Sequence, residues 1–312
     1  MDDWAPRRPA DPVDCLVVGG GPAGLTAAIY LARFRLSVLV IDAGSSRAAM
    51  IPRTHNLAGY PGGIPGAELL NRMRKQAIDF GAIVIEGSVD CLTRRSELLL
   101  ARVSGRSLCA RSVLVATGVV NEAPDMASEI HDEGLARGLL RYCPICDGYE
   151  ASDRRIGVIG TGTHGFNEAI FLRMYSRDIT LIANEGRHSL SEEERSVLGG
   201  AGIVCRDGPC GALHIVGGRI VAPIPGENLT FECLYPALGS TINSGLALAM
   251  GAQATEEGCL VVDRHQRTSI AGLYAAGDVA KGLDQISHAM GEASVAATTI
   301  RNDLAKSRRL FR

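Results

Sequence analysis

The sequence lacks an excess of charge of either sign and lacks an uninterrupted apolar run, and each absence excludes a class of partner. Its 32 Lys and Arg residues nearly balance its 34 Asp and Glu residues, which leaves a net charge of −2. Nucleic-acid binding needs a strongly basic surface, so we expect no nucleic-acid partner. The apolar stretch at residues 16–32 is interrupted by glycines and a proline and is slightly short, so we expect no membrane span.

The cysteines show no disulfide framework. There are nine of them, an odd number, scattered along a chain too long to need such bonds for stability. That pattern is typical of a protein kept in a reducing compartment. The first fourteen residues are polar, acidic and rich in proline, unlike a secretory signal. We therefore expect a cytoplasmic protein with a frayed N-terminus and a solvated, Arg-rich C-terminal tail that includes Phe311.

Length and composition favour a globular α/β protein. The chain has 312 residues, of which 46% are apolar and 21% charged, with 37 glycines. These values fit neither a disordered chain nor a coiled coil. The length indicates roughly two domains, each with enough residues for a core.

One short stretch, residues 141–150, contains two cysteines with two residues between them. Cys143 and Cys146 are followed directly by the acidic residue Asp147. Cysteines at this spacing can close a small disulfide ring, and a stabilised thiolate can attack an external disulfide. A zinc site would need a second such pair, and the sequence has no other C-x-x-C. We therefore favour a redox-active dithiol and expect no metal; inert buried thiols are the alternative.

A dinucleotide-binding motif lies near the N-terminus. An apolar strand at 15–18 precedes a glycine-rich turn, a helical pattern follows at 25–33, and a second strand at 37–41 ends in Asp42. The turn predicts cofactor contacts from Gly19, Gly21, Pro22, Ala23 and Gly24. Its glycines allow a tight turn, close approach of backbone to a pyrophosphate, and close packing of helix on strand. Asp42, 23 residues after Gly19, can accept hydrogen bonds from a ribose.

The motif recurs in the second half of the chain. A strand at 155–159 precedes the turn, a helix is expected at 166–175, and a strand at 178–182 follows. The predicted cofactor glycines are Gly160, Gly162 and Gly165. Ala183 stands where the ribose-binding acid is expected, and no Arg pair for a 2′-phosphate follows at once. NADH, NADPH and no nicotinamide cofactor all remain open.

Two such motifs predict an α/β fold with two Rossmann-like dinucleotide-binding domains of the three-layer ββα type. A strand and small-residue turn at 111–118 indicate the crossover out of the first domain. An apolar stretch at 268–278 and a helix at 285–304 return to it. We therefore expect a first dinucleotide-binding domain at 1–120 and 247–312. A second one, 121–246, carries the cysteine pair and is inserted into it.

Taken together, these motifs resemble the low-molecular-weight thioredoxin reductase family, which comprises FAD-dependent disulfide oxidoreductases. The resemblance covers almost the whole chain. The motifs that carry it lie at 19–24, 116–118, 143–148, 273–278 and 285–286. Their order is specific, because in related families the dithiol lies near the N-terminus, whereas here it precedes the second glycine motif.

The resemblance implies that the domain at 1–120 and 247–312 is an FAD-binding domain and that the inserted domain, 121–246, is NAD(P)-binding-like. FAD would lie at the first motif, with Asp42 on the ribose and Asp278 on the ribityl or pyrophosphate region. The other implied cofactor contacts are Arg47, Asn56, Thr117, Gly118, Gly277, Gln285 and Ile286. Cys146 would be the thiol near the flavin and Cys143 the one that attacks the partner disulfide. Asp147 would donate and accept the proton, as a carboxylic acid beside a thiol pair can; a helix N-cap or a turn residue is its alternative role. The family further implies a homodimer, with thioredoxin or a small disulfide or dithiol as partner.

Three departures from the family pattern leave alternatives open. The family's His-Arg-Arg cluster for NADPH is replaced by the residues at 183–186, and the aromatic-Arg pair before Gln285 is replaced by Leu283-Asp284. Residues 45–47 and 54–56 look like a subgroup similar to dithiol oxidases, in which His often replaces the acid after the cysteines. A dithiol oxidase or a ferredoxin-linked reductase, neither using NAD(P)H, is therefore the alternative function. A non-catalytic redox sensor is a third.

Overall fold

The computed structural model describes residues 12–310, so the first eleven residues and Phe311, with the predictions made for them, lie outside the described residues. The chain divides into two compact units. The first comprises residues up to Met50, Pro65–Val120, and the chain from Ile242 onward. The second comprises Ile51–Ile64 and Asn121–Thr241. The segment Ile51–Ile64, which the sequence prediction included in the FAD-binding domain, thus clusters with the second unit.

The described residues form sixteen strands and eight α-helices. The strands are β1 Val13–Val18, β2 Val38–Asp42, β3 Ile83–Glu86, β4 Val89–Arg95, β5 Leu98–Val103, β6 Arg106–Val115, β7 Val119–Asn121, β8 Ile156–Ile159, β9 Ile179–Ile182, β10 Val204–Arg206, β11 His214–Val216, β12 Arg219–Ile224, β13 Glu227–Phe231, β14 Cys233–Pro236, β15 Ser240–Ile242 and β16 Leu273–Ala275. The helices are α1 Pro22–Arg33, α2 Gly66–Asp79, α3 Ser128–Ala136, α4 Pro144–Asp147, α5 Gly162–Leu172, α6 Glu192–Gly200, α7 Gly245–Leu248 and α8 Ile286–Ser307. Short 3-10 helices lie at Arg47–Met50 and Tyr149–Ala151.

The first unit contains a seven-stranded sheet in the order β3-β2-β1-β6-β5-β4, with β16 also paired to β6. The pairs among β3, β2, β1, β6 and β16 are parallel, and those among β6, β5 and β4 are antiparallel. β1 and β2 are almost entirely buried, as expected for central parallel strands covered on both faces. The predicted strand, glycine turn, helix and strand are therefore confirmed.

Helices α1 and α8 cover one face of this sheet. The buried side of α8 is largely alanine, with Ala289, Ala293, Ala296 and Ala297 at helical spacing. Small side chains let two helices pack closely against each other and against the strands. The predicted final helix is confirmed and ends three residues later than expected, at Ser307. α1 begins at Pro22 rather than Leu25, because proline is well accommodated at the first helical position.

The second unit contains a parallel four-stranded sheet in the order β10-β9-β8-β14. A three-stranded antiparallel sheet of β11, β12 and β13 accompanies it. α5 begins at Gly162, earlier than the predicted helix, and ends at Leu172. The α/β fold with parallel sheets of the Rossmann type is thus confirmed. Within residues 12–310, no helix is both long enough and apolar enough to cross a bilayer.

Candidate active site

The two cysteines at residues 143 and 146 form a disulfide at the start of the short helix α4. Cys143 is the N-cap residue, and its Sγ accepts the backbone N–H of Cys146 at 3.2 Å. Pro144 occupies the first helical position, where the missing N–H has no intrahelical acceptor to lose. Ile145, between the cysteines, is 48% exposed. This turn of helix therefore holds a closed disulfide ring beside an accessible apolar side chain.

Asp147 ends the same helix and is held by two side chains. Its Oδ2 lies 2.9 Å from Nη1 of Arg141, and its Oδ1 accepts the hydroxyl of Tyr235 at 2.9 Å. Arg141 Nη1 also donates to the Asp147 carbonyl oxygen at 3.3 Å. Of the alternative role for Asp147, the N-cap part is wrong, because Cys143 occupies that position and Asp147 ends the turn. The acid is instead a partly buried carboxylate in a fixed orientation.

The protonation of Asp147 is governed by opposing effects. Burial raises the pKa of Asp147, whereas the Arg141 guanidinium and the hydrogen bond from Tyr235 act to lower it. A second acid, Glu168 on α5, has its pKa raised to about 7 by burial and by the nearby charge of Asp147. Burial thus raises the pKa of both acids, and perturbed carboxyl groups of this kind are typical of functional sites.

The segment Ile51–Ile64 contacts the helix that carries the cysteines, within the same unit. Asn56 Nδ2 donates to the backbone oxygen of Ile145 at 3.4 Å, and its Oδ1 accepts from the Thr54 hydroxyl at 2.9 Å. His55 Nδ1 lies 4.0 Å from Glu150 Oε1. Asn56, predicted from the resemblance as a cofactor contact, therefore touches the backbone between the two cysteines.

The other predicted cofactor residues of the first motif gather at one edge of the sheet in the first unit. Strands β1, β2, β6 and β16 run parallel in register, so their carboxyl ends meet there. Gly19–Gly24 follow β1, Asp42 ends β2, Thr117–Gly118 follow β6, and Gly277–Asp278 follow β16. In open parallel sheets, ligands bind outside this edge.

The glycine turn at this edge is shaped for a phosphate. Gly19 has a φ of +112°, and a Cβ on Gly24 would lie 1.9 Å from the Gly19 carbonyl oxygen. Gly21, the N-cap of α1, makes no side-chain cap, and the uncapped N–H groups at the start of a helix can bind an anion. The turn therefore fits the pyrophosphate of a dinucleotide.

Acidic and basic side chains complete this edge. Asp42 is buried, accepts the Gly44 N–H at 3.0 Å and forms an ion pair with Arg74, which the sequence analysis missed. Arg47 lies 3.4 Å from Asp278 Oδ2 and 3.2 Å from Asp284 Oδ2. Burial raises the pKa of Asp278, and the charge of Arg47 opposes that rise. Carboxylates held in this way can accept hydrogen bonds from the hydroxyl groups of a dinucleotide.

The other predicted cofactor residues of this edge lie in two turns and at the start of a helix. Gly277 has a φ of +78° and donates its N–H to the buried Glu292 Oε2 at 2.8 Å. Gln285 is the N-cap of α8, and Ile286 is its first residue. Thr117 and Gly118 are tied to Asn243: the Thr117 hydroxyl donates to the Asn243 carbonyl oxygen at 2.6 Å, and Gly118 O accepts its N–H at 3.0 Å.

The second glycine motif makes a similar close approach, because a Cβ on Gly165 would lie 2.9 Å from the Gly160 carbonyl oxygen, but its backbone differs from that of the first motif and it lacks a ribose acid. A Cβ on Gly160 would lie 2.6 Å from the Ala237 carbonyl oxygen, and Gly162 has a φ of +57°. Ala183 follows β9 and is fully buried. His188 is buried too, with Nε2 lying 3.2 Å from the Leu181 carbonyl oxygen, and burial lowers its pKa. A buried imidazole that tends to stay neutral is poorly suited to hold a 2′-phosphate.

Sequence reasoning missed several partners of the candidate site residues, namely Arg74, Arg141, Glu168, Tyr235, Asn243 and Glu292. Only Arg141 lies close enough to the cysteine motif for its sequence position to have suggested a role. The others lie far along the chain from the residues they contact. Among residues 12–310, no group of three or more His, Cys, Asp or Glu side chains is arranged to hold a metal ion.

Two units with Rossmann-type parallel sheets and glycine turns, one of which carries a cysteine-pair disulfide beside a carboxylate, define the class of nucleotide-dependent disulfide oxidoreductases. Comparison with known proteins agrees with this class. The family model described as pyridine nucleotide-disulphide oxidoreductase matches residues 13–293. The chain is 30% identical over 287 residues to a thioredoxin reductase of Aquifex aeolicus, covering 88% of this chain and 87% of that one.

Solved structures give the same result. HlmI is 29% identical with a TM-score of 0.86, and the match covers 95% of this chain and 93% of HlmI. A thioredoxin reductase from Streptococcus pyogenes is 25% identical with a TM-score of 0.86, covering 94% and 98% of the two chains. The chain therefore belongs to the pyridine nucleotide-disulphide oxidoreductase family and, within it, to the thioredoxin reductases of low molecular weight. It is a thioredoxin reductase-like disulfide oxidoreductase, which argues against the third alternative, a non-catalytic sensor.

Proposed function

We propose that this enzyme passes electrons between FAD, the Cys143–Cys146 pair and an external disulfide such as that of thioredoxin. One observation carries the proposal: the Cys143–Cys146 disulfide lies in the one-turn helix that ends at Asp147, whose carboxylate is held in one orientation, in a chain that also has a glycine turn at the carboxyl edge of a parallel sheet. The relatives named thioredoxin reductase support thioredoxin as the partner class.

FAD fits the carboxyl edge of the sheet in the first unit. The Gly19–Gly24 turn would hold its pyrophosphate, Asp42 its ribose, and the Arg47–Asp278 pair its ribityl region. Gln285 and Ile286 would lie near its ring system, as the family resemblance implies. Bound FAD would supply two-electron exchange with the dithiol. The boundaries 1–120 with 247–312 for the FAD domain, and 121–246 for the inserted domain, are part of this proposal.

The second glycine motif is the proposed site of a nicotinamide dinucleotide. Gly160, Gly162 and Gly165 provide the turn for its pyrophosphate. We propose that NADPH has no advantage over NADH, because a buried alanine replaces the ribose acid and His188 is buried against β9. The exposed Glu185, directly after this point, would repel a 2′-phosphate.

A reducing, cytoplasmic environment is part of the same proposal. The seven other cysteines, all within the described residues, are free thiols, as expected where disulfides do not accumulate. In the pair, Cys146 is the proposed flavin-side thiol and Cys143 the one that attacks the partner disulfide. We also propose a homodimer, which the family resemblance implies and which light scattering of the purified protein would test.

An anaerobic mixing experiment tests the electron donor. The purified flavoprotein is mixed with NADH, with NADPH, and with dithiothreitol, and the visible flavin absorbance is followed. We expect bleaching by a nicotinamide cofactor, no faster with NADPH than with NADH, and subsequent thioredoxin reduction that is lost in a Cys143→Ser, Cys146→Ser double variant. The double variant is the matched control, because it should still be bleached by the nicotinamide cofactor.

The alternative function gives a different result in the same experiment. A dithiol oxidase or a ferredoxin-linked enzyme would be bleached by dithiothreitol or by reduced ferredoxin but by neither nicotinamide cofactor. The replacement of the family's basic cluster by residues 183–186 is the observation that favours this alternative. Bleaching by dithiothreitol alone would therefore overturn the nicotinamide part of the proposal and leave the dithiol chemistry in place.

A further inference from the structure

Two side chains outside the cysteine motif hold the carboxylate of Asp147. Arg141 lies in the segment before α4, and Tyr235 lies on β14, 88 positions along the chain from Asp147. Each makes a 2.9 Å contact with a different carboxylate oxygen. The Arg141 side chain is only 11% exposed, and Tyr235 is fully buried. Both carboxylate oxygens are thus engaged by donors that cannot swing away into solvent.

The groups around Asp147 act in opposite directions on its pKa, so its two side-chain contacts affect its protonation. Burial disfavours the carboxylate form, and the nearby Glu150 acts in the same direction. Glu168 faces it from α5, and Cys233 lies close by on β14, as the mutual charge effects on their pKa values indicate. Arg141 and Tyr235 are the groups that counteract burial and favour the ionised form. An ionised carboxylate beside a thiol pair is a proton acceptor.

We propose that Arg141 and Tyr235 are positioning residues that keep Asp147 an oriented carboxylate and thereby set the pH range in which the dithiol exchanges with an external disulfide. The inference rests on the proposed function, because it concerns the proton that this exchange requires. Neither residue belongs to the cysteine motif, and Tyr235 has no sequence signal of its own.

The exchange balances as follows. The Cys143 thiolate attacks one sulfur of the external disulfide, that sulfur–sulfur bond breaks, and the first thiolate leaves. The Cys146 thiol gives its proton to the Asp147 carboxylate and attacks the sulfur of Cys143. The Cys143–Cys146 bond forms as the mixed disulfide breaks, and the second thiolate leaves. The proton on Asp147 passes to a departing thiolate, so two electrons leave the dithiol and Asp147 is again ionised.

A single-turnover measurement tests this role without a nicotinamide cofactor. The flavoprotein is reduced with dithiothreitol, desalted anaerobically, and mixed with the aromatic disulfide dithiobis(nitrobenzoate) at a series of pH values. Release of the second thiolate reports ring closure by Cys146. The Cys143→Ser, Cys146→Ser variant supplies the baseline for the seven other cysteines.

Three variants then separate charge from structure. We expect the acidic limb of the ring-closure rate to move to higher pH by about one unit or more in Arg141→Met and by roughly half a unit in Tyr235→Phe. Arg141→Lys keeps a cation and should leave the acidic limb close to its wild-type pH. Tyr235→Phe preserves the ring and its packing, so it covers the case in which Arg141→Met does not fold.

The outcomes distinguish this inference from the function on which it rests. A limb that stays at the wild-type pH in both Tyr235→Phe and Arg141→Met, with two thiolates still released per dithiol, would overturn the positioning role and leave the function standing. A rate that falls equally at every pH would also overturn it, because general loosening of the site has that effect. If the wild-type protein releases no thiolate above the baseline, the proposed function itself fails.

Discussion

Replacing Gly24 with alanine tests whether the first glycine turn holds the flavin. A Cβ at this position would lie 1.9 Å from the Gly19 carbonyl oxygen and 3.2 Å from Val17 Cγ1. Real Cβ–oxygen contacts lie beyond about 3 Å, so α1 and the turn must separate by roughly 1 Å, and overpacking of this kind costs about 1–3 kcal/mol. The backbone N–H groups of the turn would then be displaced from the pyrophosphate, and we expect flavin occupancy to fall well below that of the wild type.

The assay compares flavin absorbance per protein and thermal unfolding with and without added FAD. Bound ligand at 100 times its Kd stabilises a protein by about 2.7 kcal/mol, so wild-type unfolding should shift clearly upward with FAD, whereas Gly24→Ala should respond weakly. Gly199→Ala is the matched control, because a Cβ there meets nothing within 4 Å and the residue lies in helix α6. Full flavin content and wild-type stability in Gly24→Ala would refute the reasoning about this turn.

Three further predictions concern charge. The pKa of Glu168 is raised to about 7 in the folded protein, so Glu168 contributes to the free energy of unfolding at low pH, and this contribution is lost as pH rises from about 4.5 through 7. Glu168→Gln should therefore remove up to roughly 3 kcal/mol of the difference between the free energies of unfolding in urea at pH 5 and pH 8. Asp303 accepts hydrogen bonds from Arg267 Nε at 2.7 Å and from the Tyr274 hydroxyl at 2.9 Å, and these bonds lower the pKa of Asp303. Asp303→Asn should lower the free energy of unfolding in urea by about 1–3 kcal/mol at neutral pH, and the difference from the wild type should shrink below about pH 4. Glu185→Arg should improve the KM for NADPH about tenfold relative to NADH, whereas an equal effect on both cofactors would contradict the proposed position of the 2′-phosphate.

The features that the sequence predicted are those in which chemistry and local backbone coincide. Each glycine turn needs positive φ or close backbone approach at fixed spacing, so Gly19–Gly24 and Gly160–Gly165 could be recognised without any distant residue. The pair Cys143 and Cys146 lies within one turn of helix, so its spacing alone indicated that the two sulfurs could meet. Helix ends were predicted less well, because proline at the start of α1 extends the helix beyond the apolar pattern.

Long-range partners could not be predicted, because they depend on how distant segments pack. Asp147 meets Tyr235 across 88 positions, and Arg47 meets Asp284 across 237. No periodicity or spacing encodes such contacts, since each arises from strand order and from the loop that each strand leads into. The segment Ile51–Ile64 is a similar case: its contact with Ile145 depends on folding and not on its position in the chain.

The sequence by itself therefore determined the class of chemistry: two dinucleotide turns and a dithiol with an adjacent acid, each built from neighbouring residues. Only the tertiary structure decided how that acid is controlled. Arg141 and Tyr235 converge on its two oxygens, Glu168 approaches from another helix, and burial makes the protonation state depend on all of them. The physical reason is that a pKa reflects the charges and solvent around a group in space, whereas a sequence motif specifies only what lies next to it along the chain.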